Sequence, residues 1–362
     1  MKRALDVTGE LAVVSRRIGE ILAADSFPDT LRPDMLREAV RDYPAQGGKR
    51  LRPALLLWSC GLLGGDPDRA EFAAAAVEVY HNWTLVHDDI IDRDDTRRGR
   101  PTCHRSVAAA AQERLSLSSI DAARHGQDLA ILAGDVQQAW ANHLLLRSIE
   151  TGTSPELALA LLRRLQDGVN RDVISGEALD VEFCHRNWDT LAPAEIESML
   201  YLKTGALLRY CAETGALLAL GEANFADDLR VAQLGDFAAA AGVAFQLRDD
   251  WLGLYGDAAT LGKPIGSDLA EGKPTLLLLQ AWNRLDTTGR TELRRWIGQP
   301  ALTPCALENA RRIIRECGAE KVVSERAAAL SAQARTILQT FPDNPFRVRL
   351  IAWTDYLLGR DS

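Results

Sequence analysis

The chain contains no uninterrupted apolar stretch near the ~20 residues that a helical membrane span needs. Its most apolar run, 274–282, is far shorter. A cationic surplus is also missing: 42 Lys and Arg stand against 50 Asp and Glu, a net charge of −8. A nucleic-acid partner, which requires clustered Lys and Arg to neutralise phosphates, is therefore not expected. Cysteine is sparse, with Cys60, Cys103, Cys184, Cys211, Cys305 and Cys317 far apart and no C-x-x-C among them. Most lie in apolar or Ala-rich runs, where a thiol behaves as a small hydrophobe, so the reading is six reduced thiols. The first 24 residues carry Asp, Glu and Arg at helical spacing where a signal peptide would keep an unbroken apolar core, and the expected location is cytoplasmic.

Alternating strand-like runs bounded by turn dipeptides are nearly absent as well, while apolar residues three and four apart fill 71–92, 128–150, 155–180, 194–222, 231–255 and 305–340. That period predicts an all-α fold. Gly and Pro punctuate it at 44–48, 61–67, 98–102, 256–274 and 299–304. None of these breaks is a Gly/Ser linker, and no repeat of 30 to 50 residues is visible, so one helical domain over 1–362 is expected rather than a solenoid. The least patterned segment, 105–126, reads as a surface loop or lid.

The strongest chemical feature is His87-Asp88-Asp89-Ile90-Ile91-Asp92 at the end of the run 71–92. At 3.6 residues per turn Asp88 and Asp92 share a face and Asp89 lies beside them. Carboxylates so crowded repel one another unless a cation intervenes, and hard Mg2+ takes such oxygens together with substrate phosphate oxygens. A solvated acidic helix end is the plainer alternative. A second pair, Asp249-Asp250, ends the run 231–255, with Gln246 one turn earlier on a face suited to a phosphate or a metal-bound water. Cations accompany both: Lys49, Arg50 and Arg52 after Gly47-Gly48, Arg97, Arg98 and Arg100 after the first aspartates, then Lys203-Thr204, Lys263 and Lys273. A glycine turn followed by fixed positive charge suits a phosphate.

In this order the segments GGKRLRP, HDDIIDRDDTRRGRPT, GEALD (176–180), KTGAL (203–207) and FQLRDDWLGLYGD with GKPIGSDLAEGKPT resemble the trans-isoprenyl diphosphate synthases, or polyprenyl synthetases, across roughly 46–275. A lone DDxxD is common, whereas the ordered set is specific. The resemblance implies a helical bundle around a central cavity, a likewise helical homodimer, and condensation of isopentenyl diphosphate with an allylic diphosphate. It implies that Asp88, Asp89 and Asp92 hold two magnesium ions and Asp249 a third, with Asp250 near it. Arg97, Lys203 and Lys263 would grip the allylic diphosphate, supported by Thr204 and Gln246. Lys49, Arg52, His81 and Arg98 would hold isopentenyl diphosphate, with Lys273 a further substrate-binding cation and Arg360 reaching the same group. One departure stands out: the second motif ends in Gly253 instead of Asp, and Asp257 cannot replace it on the same helical turn.

Ionising an allylic carbon–oxygen bond requires that the departing diphosphate be neutralised, and positioned charge is the largest lever for that. No strong base is evident in the sequence, so the released diphosphate itself would take the proton. Trp83 lies five residues before Asp88, about 7.5 Å along a helix axis, and Tyr80 one turn deeper. In the family an aromatic at the Trp83 position marks short-chain products; the small Thr84 leans the reading to twenty carbons over fifteen. Ordinary core aromatics would fit the same pattern. Farnesyl diphosphate synthesis, a class I terpene cyclase and a non-catalytic subunit of a heteromeric synthase stay as alternatives. The cyclase reading lacks an Asn-xxx-Ser-xxx-Glu motif and would not need Lys49, Arg52 and Arg98, and the partner-subunit reading conflicts with an intact first aspartate cluster.

Overall fold

Helix caps written into the sequence set many of the element boundaries. The side chain of Asp6 accepts from Gly9 N–H, Ser118 from Asp121, Thr275 from Leu278, Asp286 from Gly289, and Thr303, followed by Pro304, from Ala306. Glycines in the left-handed region stand at the ends, including Gly152, Gly221, Gly272 and Gly318. The computed structural model describes all residues except 1–4, 98, 222, 224–227, 257–264, 300–301 and 360–362. Among the described residues the only strands are β1 (Thr96–Arg97) and β2 (Arg100–Pro101), an antiparallel hairpin with Thr96 opposite Pro101. Everything else regular is helical, as the periodicity predicts.

The helices are α1 (Val7–Ala24), α2 (Asp34–Ala45), α3 (Leu51–Leu62), α4 (Glu71–Ile91), α5 (Cys103–Leu115), α6 (Ser119–Arg147), α7 (Pro155–Arg163), α8 (Arg171–Phe183), α9 (Pro193–Leu200), α10 (Ala206–Leu220) and α11 (Leu229–Tyr255). They continue with α12 (Ser267–Glu271), α13 (Leu276–Arg284), α14 (Thr287–Arg294), α15 (Pro304–Glu316), α16 (Ala319–Gln339) and α17 (Pro345–Leu358). Two π-helical turns, Arg164–Asn170 and Tyr201–Gly205, interrupt the series. The chain sorts into two compact units: residues 1–163, 211–231 and 343–350 form the first, and 164–210, 232–342 and 351–362 the second.

In the first unit α4 packs against α1, α2, α3, α5 and α6. Ala73, Ala74, Ala75 and Ala76 are fully buried, small enough for neighbours on several sides, while Tyr80, Trp140, Leu55, Leu56, Leu144 and Leu145 fill the space between. A deep acid away from the motifs, Asp25, is fully engaged: it accepts from Phe27 N–H, from Trp140 Nε1 at 3.1 Å and from Arg147 Nη1 at 2.6 Å. In the second unit Phe183, Tyr210, Phe237 and Trp353 are the large buried groups. Trp251 donates to Glu320 and Trp282 to Asp189, which fastens α11 to α16 and α13 to the loop before α9.

The segment 105–126, expected to be a loop or lid, is the body of α5 and the start of α6, with only Ser116–Ser118 between them. Its buried stripe consists of Val107, Ala111, Ala122 and Gly126, so the hydrophobic contrast that signals a helix is weak. A Cβ on Gly126 would collide with the backbone of α5 at His104, and that closeness is the use of the glycine.

Gly215 of α10 plays the same part against α3, where a Cβ would overlap Leu56 O and meet Ser59 and Cys60. Gly19 of α1 has open space around it. Thermal denaturation should therefore separate two identical substitutions. Gly215→Ala should destabilise by about 1–3 kcal/mol through overpacking, and Gly19→Ala should be neutral or stabilising by up to ~1 kcal/mol through helix propensity.

Candidate active site

In the first unit the glycine turn before α3 directs its cations apart. Gly47 and Gly48 have φ of 76° and 140°, and Arg50, with φ 46°, also lies in the left-handed region. That backbone sends the Arg50 side chain inward, where Nη1 donates to Glu78 at 2.5 Å and Nη2 to Pro44 O at 2.6 Å. Lys49 is left exposed and Arg52 half-buried on the first turn of α3. His81 is half-buried on α4, and the Thr84 hydroxyl donates to its carbonyl.

The end of α4 carries the first aspartates in two orientations. Asp88 and Asp92 are half-buried and joined by Asp92 N–H to Asp88 O at 2.8 Å. Asp89 points the other way and is fully buried. Its Oδ2 accepts the hydroxyl proton of Tyr43 on α2, and its Oδ1 accepts from Arg97 Nε at 2.7 Å. Arg97 Nη2 lies 3.4 Å from Asp88 Oδ2, so the guanidinium spans both carboxylates. Burial pushes the Asp89 carboxyl up from the usual carboxylate range, against the lowering effect of Arg97 and Tyr43. To take a cation Asp89 would have to exchange one of these partners. Arg98 lies outside the described residues.

One and two turns before Asp88, Trp83 and Tyr80 are buried edge-to-face, ring centroids 4.9 Å apart, and Trp83 meets the His87 ring at 5.9 Å. His87 Nε2–H donates to Ile131 O at 3.0 Å across the α4–α6 crossing, and a Cβ on Gly134 would occupy the imidazole.

In the second unit the π-helical turn 201–205 lets neighbouring residues reach different helices. Lys203 Nζ lies 2.8 Å from Glu177 and 2.7 Å from Asp180 on α8, and the Thr204 hydroxyl is 3.4 Å from Gln246 Oε1 on α11. Gly176 opens α8 to the backbone of Lys203, where a side chain would collide. The GEALD motif thus supplies a close approach and two acids, Glu177 and Asp180, to which the sequence had given no role. Gln246 Nε2 in turn donates to Asp250 Oδ1 at 3.0 Å.

Asp249 is half-buried, whereas Asp250 is 8 % exposed and its Oδ2 is buried with no hydrogen-bond partner. Desolvation, followed by the neighbouring charges of Asp268, Asp249 and Asp180, holds the Asp250 carboxyl well above the usual range. Gly253, where the motif lacks its last Asp, faces Asp268: a Cβ there would stand 3.2 Å from Asp268 Oδ2. Asp268 is held on a turn by Gly266 N–H to Gly253 O and Lys273 N–H to Asp268 O. Lys273 pairs with Glu271 at 3.0 Å, and Lys263 and Asp257 lie outside the described residues.

Among the described residues no three acidic, imidazole or thiol groups are already gathered as a complete metal cage. The donors are all hard oxygens, and a buried carboxylate with an unmatched oxygen among three other acids is stable only with a cation or a proton. This set fits Mg2+, which takes few protein carboxylates and completes its shell with water and phosphate.

A helical protein with two aspartate-bearing helix ends, each attended by cations that can hold phosphate, is built to work on diphosphates. The family model described as polyprenyl synthetase matches residues 33–314, and the chain belongs to that family. It is thus a prenyltransferase. It is similar to geranylfarnesyl diphosphate synthase of Aeropyrum pernix, 36 % identical over 335 residues, spanning 91 % of this chain and 96 % of that one. Similarity to a geranylgeranyl pyrophosphate synthase of Geoglobus acetivorans is 33 % over 353 residues, 96 % of each chain. Among solved structures, a geranylgeranyl pyrophosphate synthase from Corynebacterium glutamicum, complexed with isoprenyl diphosphate and magnesium, superposes with a TM-score of 0.85 at 30 % identity, covering 98 % of this chain and 100 % of that one. The synthetase from Pyrococcus horikoshii gives 0.84 at 29 % identity, covering 98 % and 99 %.

Asp250→Asn should remove the need for a cation or a proton while keeping the shape, and its amide can donate to a neighbouring acid. We expect the metal-free protein to melt higher by ~2 °C or more, with a smaller rise on adding Mg2+ and inorganic diphosphate than the parent shows. Differential scanning calorimetry in EDTA and in Mg2+ with diphosphate measures both.

Proposed function

We propose that the chain is a short-chain trans-prenyltransferase that condenses isopentenyl diphosphate with allylic diphosphates to geranylgeranyl diphosphate. The carrying observation is that one unit holds two anion-binding provisions of different make. An acidic helix end has Arg97 lying across Asp88 and Asp89, and a separate glycine turn leaves Lys49 exposed and Arg52 half-buried while Arg50 turns inside. A reaction of two diphosphates needs both; ionising a single diphosphate needs only the first.

In this reading Asp88 and Asp92, with Asp89 after exchange of a partner, take two magnesium ions, and Asp249 with Asp250 a third. Bound magnesium neutralises the leaving diphosphate. Arg97, Lys203 and Lys263 hold the allylic diphosphate, with Thr204 and Gln246 orienting it. Lys203 is aimed by Glu177 and Asp180 until phosphate oxygens replace them. Lys49, Arg52, His81 and Arg98 hold the diphosphate of isopentenyl diphosphate, whose double bond attacks the allylic carbon as the carbon–oxygen bond breaks, and Lys273 is a further substrate-binding cation. The proton then leaves to the released diphosphate. Fixing both substrates supplies the remaining advantage by proximity.

Trp83 and Tyr80, buried on α4 and braced by His87, are proposed to stop the growing tail near twenty carbons, with Thr84 leaving room beside them. We further propose that residues 1–362 work as one catalytic domain, in the cytoplasm and as a homodimer. No described helix is long and apolar enough to cross a membrane, and the exposed Ile120, Ile131 and Leu132 of α6 support pairing with a second copy.

The test is incubation of purified protein with Mg2+, labelled isopentenyl diphosphate and dimethylallyl, geranyl, farnesyl or geranylgeranyl diphosphate, followed by chromatography of the dephosphorylated products. A linear C20 alcohol is expected. A cyclic hydrocarbon formed without isopentenyl diphosphate would overturn the reading. Asp88→Ala should lower kcat by roughly 100-fold or more with an unchanged circular dichroism spectrum. Trp83→Ser should lengthen the product by at least one five-carbon unit, and an unaltered product length would mean that another wall sets it.

A further inference from the structure

Tyr43 lies 46 residues before Asp89 in the sequence, belongs to no motif, and is 3 % exposed. A phenol carries one proton and two lone-pair directions, and here both kinds of bond are used. The proton goes to Asp89 Oδ2, and the oxygen accepts Cys103 N–H at 3.2 Å. These partners stand at the two ends of the hairpin that carries Arg97. At its start, Asp94 N–H donates to Asp89 O at 2.9 Å; at its end, Thr102 precedes Cys103, with its hydroxyl on Asp94 O and its N–H on Asp95 O. One phenol therefore fastens α2 to both feet of the hairpin.

The carboxylate of Asp89 has two oxygens and, in its buried site, two donors. With Tyr43 on Oδ2, Oδ1 is left to Arg97, whose Nε lies at 2.7 Å and Nη2 at 2.5 Å, and the same Nη2 reaches within 3.4 Å of Asp88 Oδ2. Without the phenol, Asp89 Oδ2 and Cys103 N–H would each be buried without that bond, and the carboxylate would turn to recover a donor. Among the described residues the other donor at this carboxylate is Arg97 itself. One arm of its fork, now on Oδ1, would then move to Oδ2, and Nη2 would withdraw from Asp88.

We propose that Tyr43 is a positioning residue for diphosphate binding: its hydroxyl fixes Asp89 so that Arg97 is held across Asp88, ready to receive the allylic diphosphate. The inference rests on the reading that Arg97 grips that diphosphate. Asp89 then serves first as the pivot between phenol and guanidinium.

The experiment compares Tyr43→Phe, Arg97→Gln and the double variant in steady-state assays with Mg2+, geranyl diphosphate and isopentenyl diphosphate, alongside melting temperatures. Tyr43→Phe should raise KM for geranyl diphosphate by roughly tenfold, as loss of an outer partner typically does, with KM for isopentenyl diphosphate within about twofold of the parent. In the double variant the Tyr43 change should add nothing to that of Arg97→Gln. Equal shifts in both KM values, no shift at all, or effects that multiply in the double variant would overturn the proposal. Should Arg97→Gln alone leave the KM for geranyl diphosphate unchanged, the underlying assignment of Arg97 falls, and the inference with it. If Tyr43→Phe alone does not fold, the same change in the Gly19→Ala background keeps the question answerable: it should show the same one-sided rise in KM.

Discussion

Negative charge placed inside a protein must be answered locally, because a buried carboxylate without partners loses its hydration and gains nothing in return. At three of its buried acids this chain meets that constraint in three ways. Asp25 is answered completely by an indole, an arginine and a backbone amide, and simply braces the end of α1 against α6. Asp89 is answered by a phenol and a guanidinium, of which one is deep and the other reaches the surface. Asp250 is answered on one oxygen only, by Gln246, and shares its surroundings with Asp268, Asp249 and Asp180. The gradient from complete to incomplete compensation runs from scaffold to chemistry.

The helical frame that sets this up depends on small residues at crossings. Gly126, Gly134, Gly176 and Gly215 each stand where a neighbouring backbone or ring fills the space of a side chain. At two of them a residue of the aspartate- or lysine-bearing motifs is the neighbour: His87 at Gly134 and Lys203 at Gly176. The positions of the acidic and basic groups are thus tied to backbone contact, which tolerates less variation than side-chain packing does.

What could be read without coordinates was what helical period fixes. The run 71–92 became α4, the run 231–255 became α11, and Asp88 and Asp92 share a face because they lie four residues apart. Residues 105–126 escaped because an Ala and Gly stripe buries well but contrasts little with its polar flanks. Arg50 could not be told from Lys49 and Arg52 by composition; only the left-handed backbone at Arg50 turns it inward. Asp180 and Asp268 were visible within quoted motifs, yet their convergence on Lys203 and Asp250 is tertiary. Tyr43 offered no signal at all, since a tyrosine in an amphipathic helix is ordinarily core.

The bond from His87 to the carbonyl of Ile131 has a thermodynamic side. It sits one residue before Asp88 and ties the last turn of α4, normally the part of a helix most prone to fray, to the middle of a 29-residue helix. The freedom of that turn is lost when the chain folds, not when a ligand arrives. Whatever binds at Asp88 and Asp92 therefore meets a preorganised helix end, and little of its binding free energy is consumed in ordering the protein.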